Sequence, residues 1–323
     1  MSNQRRLMRA LHRAHDNGPA QAYGALMQWF ATNGGYYPPQ GGIGLSWYVD
    51  SNNGSDGYDG KTSDRAFATV QKAIDATTAD RGDTIYLLPG HNENLSATNT
   101  VDLNKAGVAI IGIGWGGRTP RFDFDHADAI FEIDDSDCLL KNIRFMPGAA
   151  TVTVGVEIEG VVNTVIEDCY FMDGEVSGTD EFIESIELEA GSDNTIIRNC
   201  KFRVSTSSNG AVSAIMFTGL SDRVAIEGCD IQGGYSGACI YHDGAAITNV
   251  RIRDNLLVPK DTEPGIELIT ASTGIIEYNR TCSNLTTLAG AIVADGVYAF
   301  ENYHSETATE NGGLARTASV DDG

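Results

Sequence analysis

A chain of 323 residues, 41% hydrophobic and with 37 glycines, can bury one large core or two smaller ones and turns often. Its formal net charge of −22 is uneven: residues 1–49 hold Arg5, Arg6, Arg9 and Arg13 against Asp16 alone (+3), so the rest carry −25. An acidic body of that size repels nucleic acid and anionic membranes, so neither is an expected partner, and no apolar run approaches the ~18 residues of a membrane span.

Residues 1–34 read as a basic α-helical arm. Leu7, Met8 and Leu11 share one apolar face; after the Asn17-Gly18-Pro19 break, Tyr23, Leu26, Met27 and Phe30 share another. Arg5, Arg6, Arg9 and Arg13 suit the arm to an acidic surface, a partner's or the body's own, and are the candidate attachment residues. No apolar h-region follows them, so export by a signal peptide is not expected. Six cysteines without close pairing fit folding in a reducing cytosol. Residues 35–46, beginning GYYPPQGGIG, are a linker by composition.

Residues 47–90 form a unit. From 48 to 90 the chain reads YVDSNNGSDGYDGKTSDRAFATVQKAIDATTADRGDTIYLLPG: a first strand, a Gly/Asp-rich loop, the short helix FATVQKAI, then GDTIYLLPG. This segment resembles the start of pectin-lyase-like right-handed β-helices, notably those of bacteriophage virion proteins and tailspikes. The resemblance implies an all-β, right-handed single-stranded parallel β-helix whose open end is covered by the short helix, as solenoid ends require. It further implies a structural virion protein, a decoration or appendage of head or tail, assembled in the host cytoplasm. Its partners would be other virion proteins, reached through the arm, and further copies of itself, a trimer in preference to a dimer. Contact with host surface polysaccharide belongs to the same picture. The fold hosts lyases, hydrolases and inert proteins alike, so two alternatives stand beside it: a tailspike-type polysaccharide depolymerase, hydrolase or lyase, and a non-catalytic glycan-binding module.

Over residues 91–304 the chain repeats itself every 23 to 31 residues. One position runs Ile143, Cys169, Cys200, Cys229, Asn255, Asn279, Asn302. Three residues earlier stand Leu140, Ile166, Ile197, Ile226, Ile252, Ile276 and Ala299; two residues later stand Phe145, Phe171, Phe202, Ile231, Leu257, Thr281 and His304. Short strands centred on Glu132, Glu157, Glu187, Met216, Tyr241, Glu267 and Val293 precede them, each flanked by inward side chains. Period-two alternation with one side kept apolar marks strands with one buried face. No unit contains a helical pattern of 10 to 15 residues, which argues against βαβ units. Units this small must stack, giving a parallel β-helix with side-chain ladders ~4.8 Å apart. A column left out of that alignment supports the register: Lys141, Glu167, Arg198, Glu227, Arg253 and Glu277 alternate in sign, as stacked charges should. Residues 305–323 form a polar tail, expected to be disordered or to order on a partner.

Three clusters invite a chemical reading. A column of three cysteines does not surround a zinc ion, and a disulfide between rungs would strain the coils, so Cys169, Cys200 and Cys229 are expected as buried thiols at a tight bend. Asn255, Asn279 and Asn302 should continue that column as a hydrogen-bonded ladder. Asp50, Asp56 and Asp59, with Asn52, crowd one loop; calcium is one reading, but Gly54 breaks the D-x-[DN]-x-[DN]-G spacing and an Asx-rich turn is preferred.

The third cluster is acidic. Glu132, Glu157 and Glu187 stack on consecutive rungs, with Asp134, Glu159 and Glu189 two residues on, a two-by-three array of carboxylates. Repulsion could raise one pKa and leave Glu157 or Glu159 as partner to Glu187 or Glu189 in an acid/base pair; calcium is a second way to relieve it. A solvated acidic face is preferred over both. The R-x-P-x-x-R motif of pectate lyases is missing, since RTPR at 118–121 has the wrong spacing. His242 is expected in the core.

Overall fold

A computed structural model describes residues 44–306, apart from 98–99, 174–178, 206–209, 245, 261, 270, 286–287 and 295, together with residues 315–316. The arm at 1–34 with its four arginines, linker residues 35–43 and most of the tail lie outside the described residues.

The chain winds as a right-handed parallel β-helix, with very little α-helix among the described residues. Coils carry strands of three parallel sheets. Sheet A runs from Ser46–Val49 through Thr84–Leu87, Ala109–Gly112 and Leu139–Lys141 to Tyr298–Phe300; sheet B runs from Val101–Leu103 to Ile292–Ala294; sheet C runs from Asn92–Leu95 to Tyr303–Glu306. The path is A to C to B and back to A. Among the strands of the described residues, the last short one, Ala315–Arg316, pairs antiparallel, against Tyr303–Glu306.

The sequence columns coincide with this register. Leu140, Ile166, Ile197, Ile226, Ile252 and Ile276 face each other in sheet A, and each is fully buried. In sheet C, Phe145, Phe171 and Phe202 stack at 4.8 and 4.9 Å, with rings within 14° of parallel. Each such ring contributes roughly 1.5–3 kcal/mol by leaving water. The charge column is also in register, and Glu167 bridges Lys141 at 3.3 Å and Arg198 at 3.0 Å, while Glu227 holds Arg253 at 3.1 Å. Such half-exposed pairs specify register more than they stabilise.

What reads as one segment around each cysteine is two strands of different sheets, joined by a corner. The corner turns on a single left-handed residue: Asn142, Asp168, Asn199, Gly228, Asp254, Tyr278 and Glu301 all have φ between 51° and 63°. Asn, Asp and Gly tolerate that conformation best and fill five of the seven places. The next residue points inward. There Cys169, Cys200 and Cys229 are free and at most 1% exposed, and Asn255, Asn279 and Asn302 follow as a hydrogen-bonded ladder.

The capping helix is Val70–Ala76, with Thr69 as its N-cap accepting the Lys72 N–H and Val70, Ala73 and Ile74 fully buried. It sits at the start of the helix stack against the first strands of sheets A and B. Asp83, fully buried, ties this end together. It accepts the Leu45 N–H at 2.7 Å, the Thr78 N–H at 3.1 Å and the Trp47 Nε1–H at 3.2 Å, and pairs with Arg81. His242 lies in the core, stacked on Phe217.

Candidate functional site: an acidic face on sheet B

The outward column of sheet B begins Asp102, Glu132, Glu157, Glu187 and continues Met216, Tyr241, Glu267, Val293. Asp134, Glu159 and Glu189 each lie just beyond a strand end, yet their N–H groups still bond the coil below, to Leu103, Ile133 and Ile158 at 3.2, 3.1 and 3.0 Å. The second acidic column therefore keeps its register.

Carboxylate oxygens of Glu157, Glu187 and Glu189 lie within 4.8 Å of one another. Among the described residues, no Lys, Arg or His forms an ion pair with the carboxylates of this face. Partial burial, then the charges of Glu187, Glu189 and Glu159, push Glu157 up to about 7. Partial burial also leads for Glu132, raised to about 7, followed by a hydrogen bond to Glu159 and the charges of Glu159, Asp102 and Glu157. Glu184 reaches about 7 through burial, then the charge of Glu187 and a hydrogen bond to it. Glu187 itself rises, through burial first. A carboxyl can donate to a carboxylate only while it keeps its proton, which is why these hydrogen bonds raise Glu132 and Glu184.

Two chemistries fit this arrangement. A protonated carboxyl beside an ionised one is an acid/base pair, and these side chains bring carboxyl oxygens within 4.8 Å of one another. Three carboxylates are also an all-oxygen donor set of the kind calcium takes at ~2.3 to 2.6 Å, and oxygens within 4.8 Å of one another can reach one such ion. Glu157, Glu187 and Glu189 are the residues that would hold it.

Of the expected array, the structure brings Glu157, Glu187 and Glu189 together and joins Glu132 to Glu159. Two contributors escape sequence reasoning. Asp102 could be found by extending the Glu132 column one rung back. Glu184 could not: Ser185 and Ile186 are both buried, so the alternation that would fix its direction breaks beside it.

The loop aspartates are placed differently. Asp50 accepts from Asn52 and Asn53, Asp56 from the N–H groups of Ala68 and Thr69, and Asp59 from Lys61 and Arg65. Each holds a different part of the loop, and among the described residues they form no group of three ligand atoms within 4.8 Å.

A family model described as "Right handed beta helix region" matches residues 119–281. Among solved structures, a rhamnogalacturonan lyase is similar at a TM-score of 0.53 and 19% identity, over 74% of this chain and 69% of its own. A GH136 lacto-N-biosidase from Eubacterium ramulus gives 0.47 and 11%, over 89% and 66%. PfbA, a surface adhesin of Streptococcus pneumoniae, gives 0.45 and 14%, over 83% and 81%. No curated protein matches the sequence. At these identities the likeness is one of fold.

Proposed function

The chain belongs to the right-handed β-helix family, and from that premise we propose that it is a structural bacteriophage virion protein, a rigid decoration or appendage held by its N-terminal arm. The observation that carries this reading is where the arm meets the body. The described chain begins at the capped end, where the Leu45 N–H bonds Asp83, and the sequence that precedes it carries +3 against −25 for the body. A basic tether at one end of a stiff acidic rod suits anchoring on a particle with the remaining coils projecting. The trimeric state and the contact with host polysaccharide implied by the sequence resemblance belong to this proposal.

Mass spectrometry and cryo-microscopy of purified particles test it. The protein should be present in fixed copy number, and Arg5, Arg6, Arg9 and Arg13 all changed to Gln should leave it in the lysate. A wild-type protein found only in lysate overturns the reading.

A second reading, a polysaccharide depolymerase, is favoured by the clustered carboxylates with pKa values near 7. Glu157 is then the acid and Glu187 or Glu189 its partner carboxyl, with calcium as an alternative occupant of the same oxygens. Release of reducing ends or unsaturated sugars from host capsule or lipopolysaccharide, lost in Glu157→Gln, would establish it. No product from any host glycan, with or without calcium, would exclude it.

A further inference from the structure

The corner between sheets A and C, on the far side of the coil from sheet B, has a different character. Eight of the A-to-C corners are two to four residues long, but residues 113–120 make one long loop between Ala109–Gly112 and Arg121–Phe124. That loop presents Trp115, whose surface is 84% exposed. It is a fixed loop: Asn142 donates from Nδ2 to the carbonyls of Gly112 and Gly114 at 2.7 and 3.1 Å, and the Arg118 N–H closes on the Trp115 carbonyl at 3.0 Å. An indole held this far in water adds little to the core and is free to meet a ligand.

Beside the loop opens a groove of about 310 Å³, lined by Thr119, Arg144, Tyr170, Asn199 and Lys201 among others. Arg144, Tyr170 and Lys201 stand in one outward column of sheet C on successive rungs. The surrounding cations are neutralised: Arg121 by Asp123, Arg203 by Asp230, Lys141 by Glu167 and Asp168. Among the described residues neither Arg144 nor Lys201 has an ion-pair partner; the Arg144 guanidinium lies over the Tyr170 ring at 5.7 Å. Arg144 also stacks directly on Arg121, a like-charge neighbour that register alone would disfavour. Asp168 is the acid on the lining, and Lys141 already holds it at 3.3 Å. In a body of −25, two cations without an ion-pair partner stand about two rungs apart in a groove that attracts anions and whose lining starts at Gly116, the residue after the exposed Trp115.

We propose that this groove binds an anionic sugar. The indole of Trp115 offers a platform for the apolar face of a pyranose, Arg144 and Lys201 take the carboxylate, and Thr119 and Asn199 serve the hydroxyls. An aromatic platform with a few convergent polar groups is what such a ligand needs, and the planar guanidinium matches a carboxylate in two bonds. The site is one of binding, and it depends neither on the virion reading nor on chemistry at sheet B.

The test uses the full chain with acidic oligosaccharides of three kinds, built from mannuronate, from alternating glucuronate and N-acetylglucosamine, and from sialic acid. The carboxyl-reduced neutral form of each and inorganic sulfate complete the set. Calorimetry and tryptophan fluorescence should find saturable binding of at least one acidic oligosaccharide, weakening as salt rises, and at least tenfold tighter than its neutral form. Trp115→Ala and the pair Arg144→Gln with Lys201→Gln should each lower that affinity at least tenfold. All these side chains are at the surface, so an unchanged unfolding midpoint certifies the variants. The proposal falls if none of the three binds, if the neutral form binds equally well, if sulfate alone binds, or if Trp115→Ala leaves the affinity intact.

Discussion

The side-chain carbonyl of Asn279 accepts two hydrogen bonds from Asn255, one coil earlier: from its backbone N–H at 3.1 Å and from its Nδ2–H at 2.9 Å. Asn279 in turn donates from Nδ2 to the Ile252 carbonyl at 2.9 Å and to Asn302 at 3.0 Å. All of this is buried. Removing the amide strands a backbone N–H, a side-chain N–H and a carbonyl away from water, each worth about 1–3 kcal/mol when unsatisfied. Asn279→Ala is expected to destabilise the chain by about 3 kcal/mol or more in urea unfolding. Asn279→Asp should be nearly as damaging, since it keeps the acceptor, loses both side-chain donors and buries a carboxyl.

That ladder also shows what a sequence can disclose. Asn255, Asn279 and Asn302 could be placed because repeat proteins write each structural position several times, and the isoleucines three residues earlier fix the frame. The three-sheet cross-section was less legible. A tight bend at Cys169, Cys200 and Cys229 was expected, but with only Asp168-Cys169 or Asn199-Cys200 between two strands, hydrophobic periodicity does not show that the bend carries the chain into a different sheet. The signal was the Asn, Asp or Gly before the inward residue, and Tyr278 and Glu301 obscure it at the last corners. In the site, Glu157 and Glu187 follow from register, whereas their closeness to Glu189 depends on side-chain directions beyond strand ends. Trp115, Arg144 and Lys201 were hidden for a different reason: they are spread over four coils, and the loop that carries Trp115 interrupts the repeat.

Asp83 should make the capped end acid-sensitive. Burial alone would raise its pKa, but bonds from Arg81, from the N–H groups of Leu45 and Thr78, and from Trp47 hold it below the usual carboxylate range. A carboxylate with a lowered folded pKa contributes stability above its unfolded pKa and loses it as pH falls through the folded one. Asp83→Asn is expected to cost about 2–4 kcal/mol at neutral pH, as a buried charged partner is lost, and to leave Arg81 without its counter-ion. Unfolding curves of parent and variant should converge as pH drops below about 4.

Thiol reactivity checks the corner column independently. Cys138, Cys169, Cys200, Cys229 and Cys239 are buried, and Cys282 is partly exposed on the outer side of sheet C. Burial pushes the Cys138 thiol up to about 12 and Cys200 well above its ordinary value, so little thiolate forms there at neutral pH. A water-soluble disulfide reagent should modify Cys282 quickly in the native protein and the other five only with unfolding. Cys282→Ser should abolish the fast phase. Rapid modification of Cys169, Cys200 and Cys229 would show that the corner column does not point inward.

The acidic face predicts the opposite pH trend from Asp83. Glu132, Glu157 and Glu184 titrate at about 7 in the folded chain, against an ordinary value of 4.5. Between those values the folded state holds more protons than the unfolded one, so stability falls as pH rises through the window and stays low above it. The unfolding midpoint should therefore drop from about pH 5 to about pH 8, and Glu157→Gln should raise the midpoint at the upper end while flattening the slope. Relief of one like-charge contact near the surface is worth on the order of 1 kcal/mol, which a chain of this size shows as a shift of a few degrees at most. Calcium separates the two chemistries of the site. If Glu157, Glu187 and Glu189 hold a cation, millimolar calcium restores the midpoint at high pH, has little effect at low pH where the carboxyls keep their protons, and loses its effect in Glu187→Gln. An acid/base pair without a metal gives the same pH slope and no response to calcium.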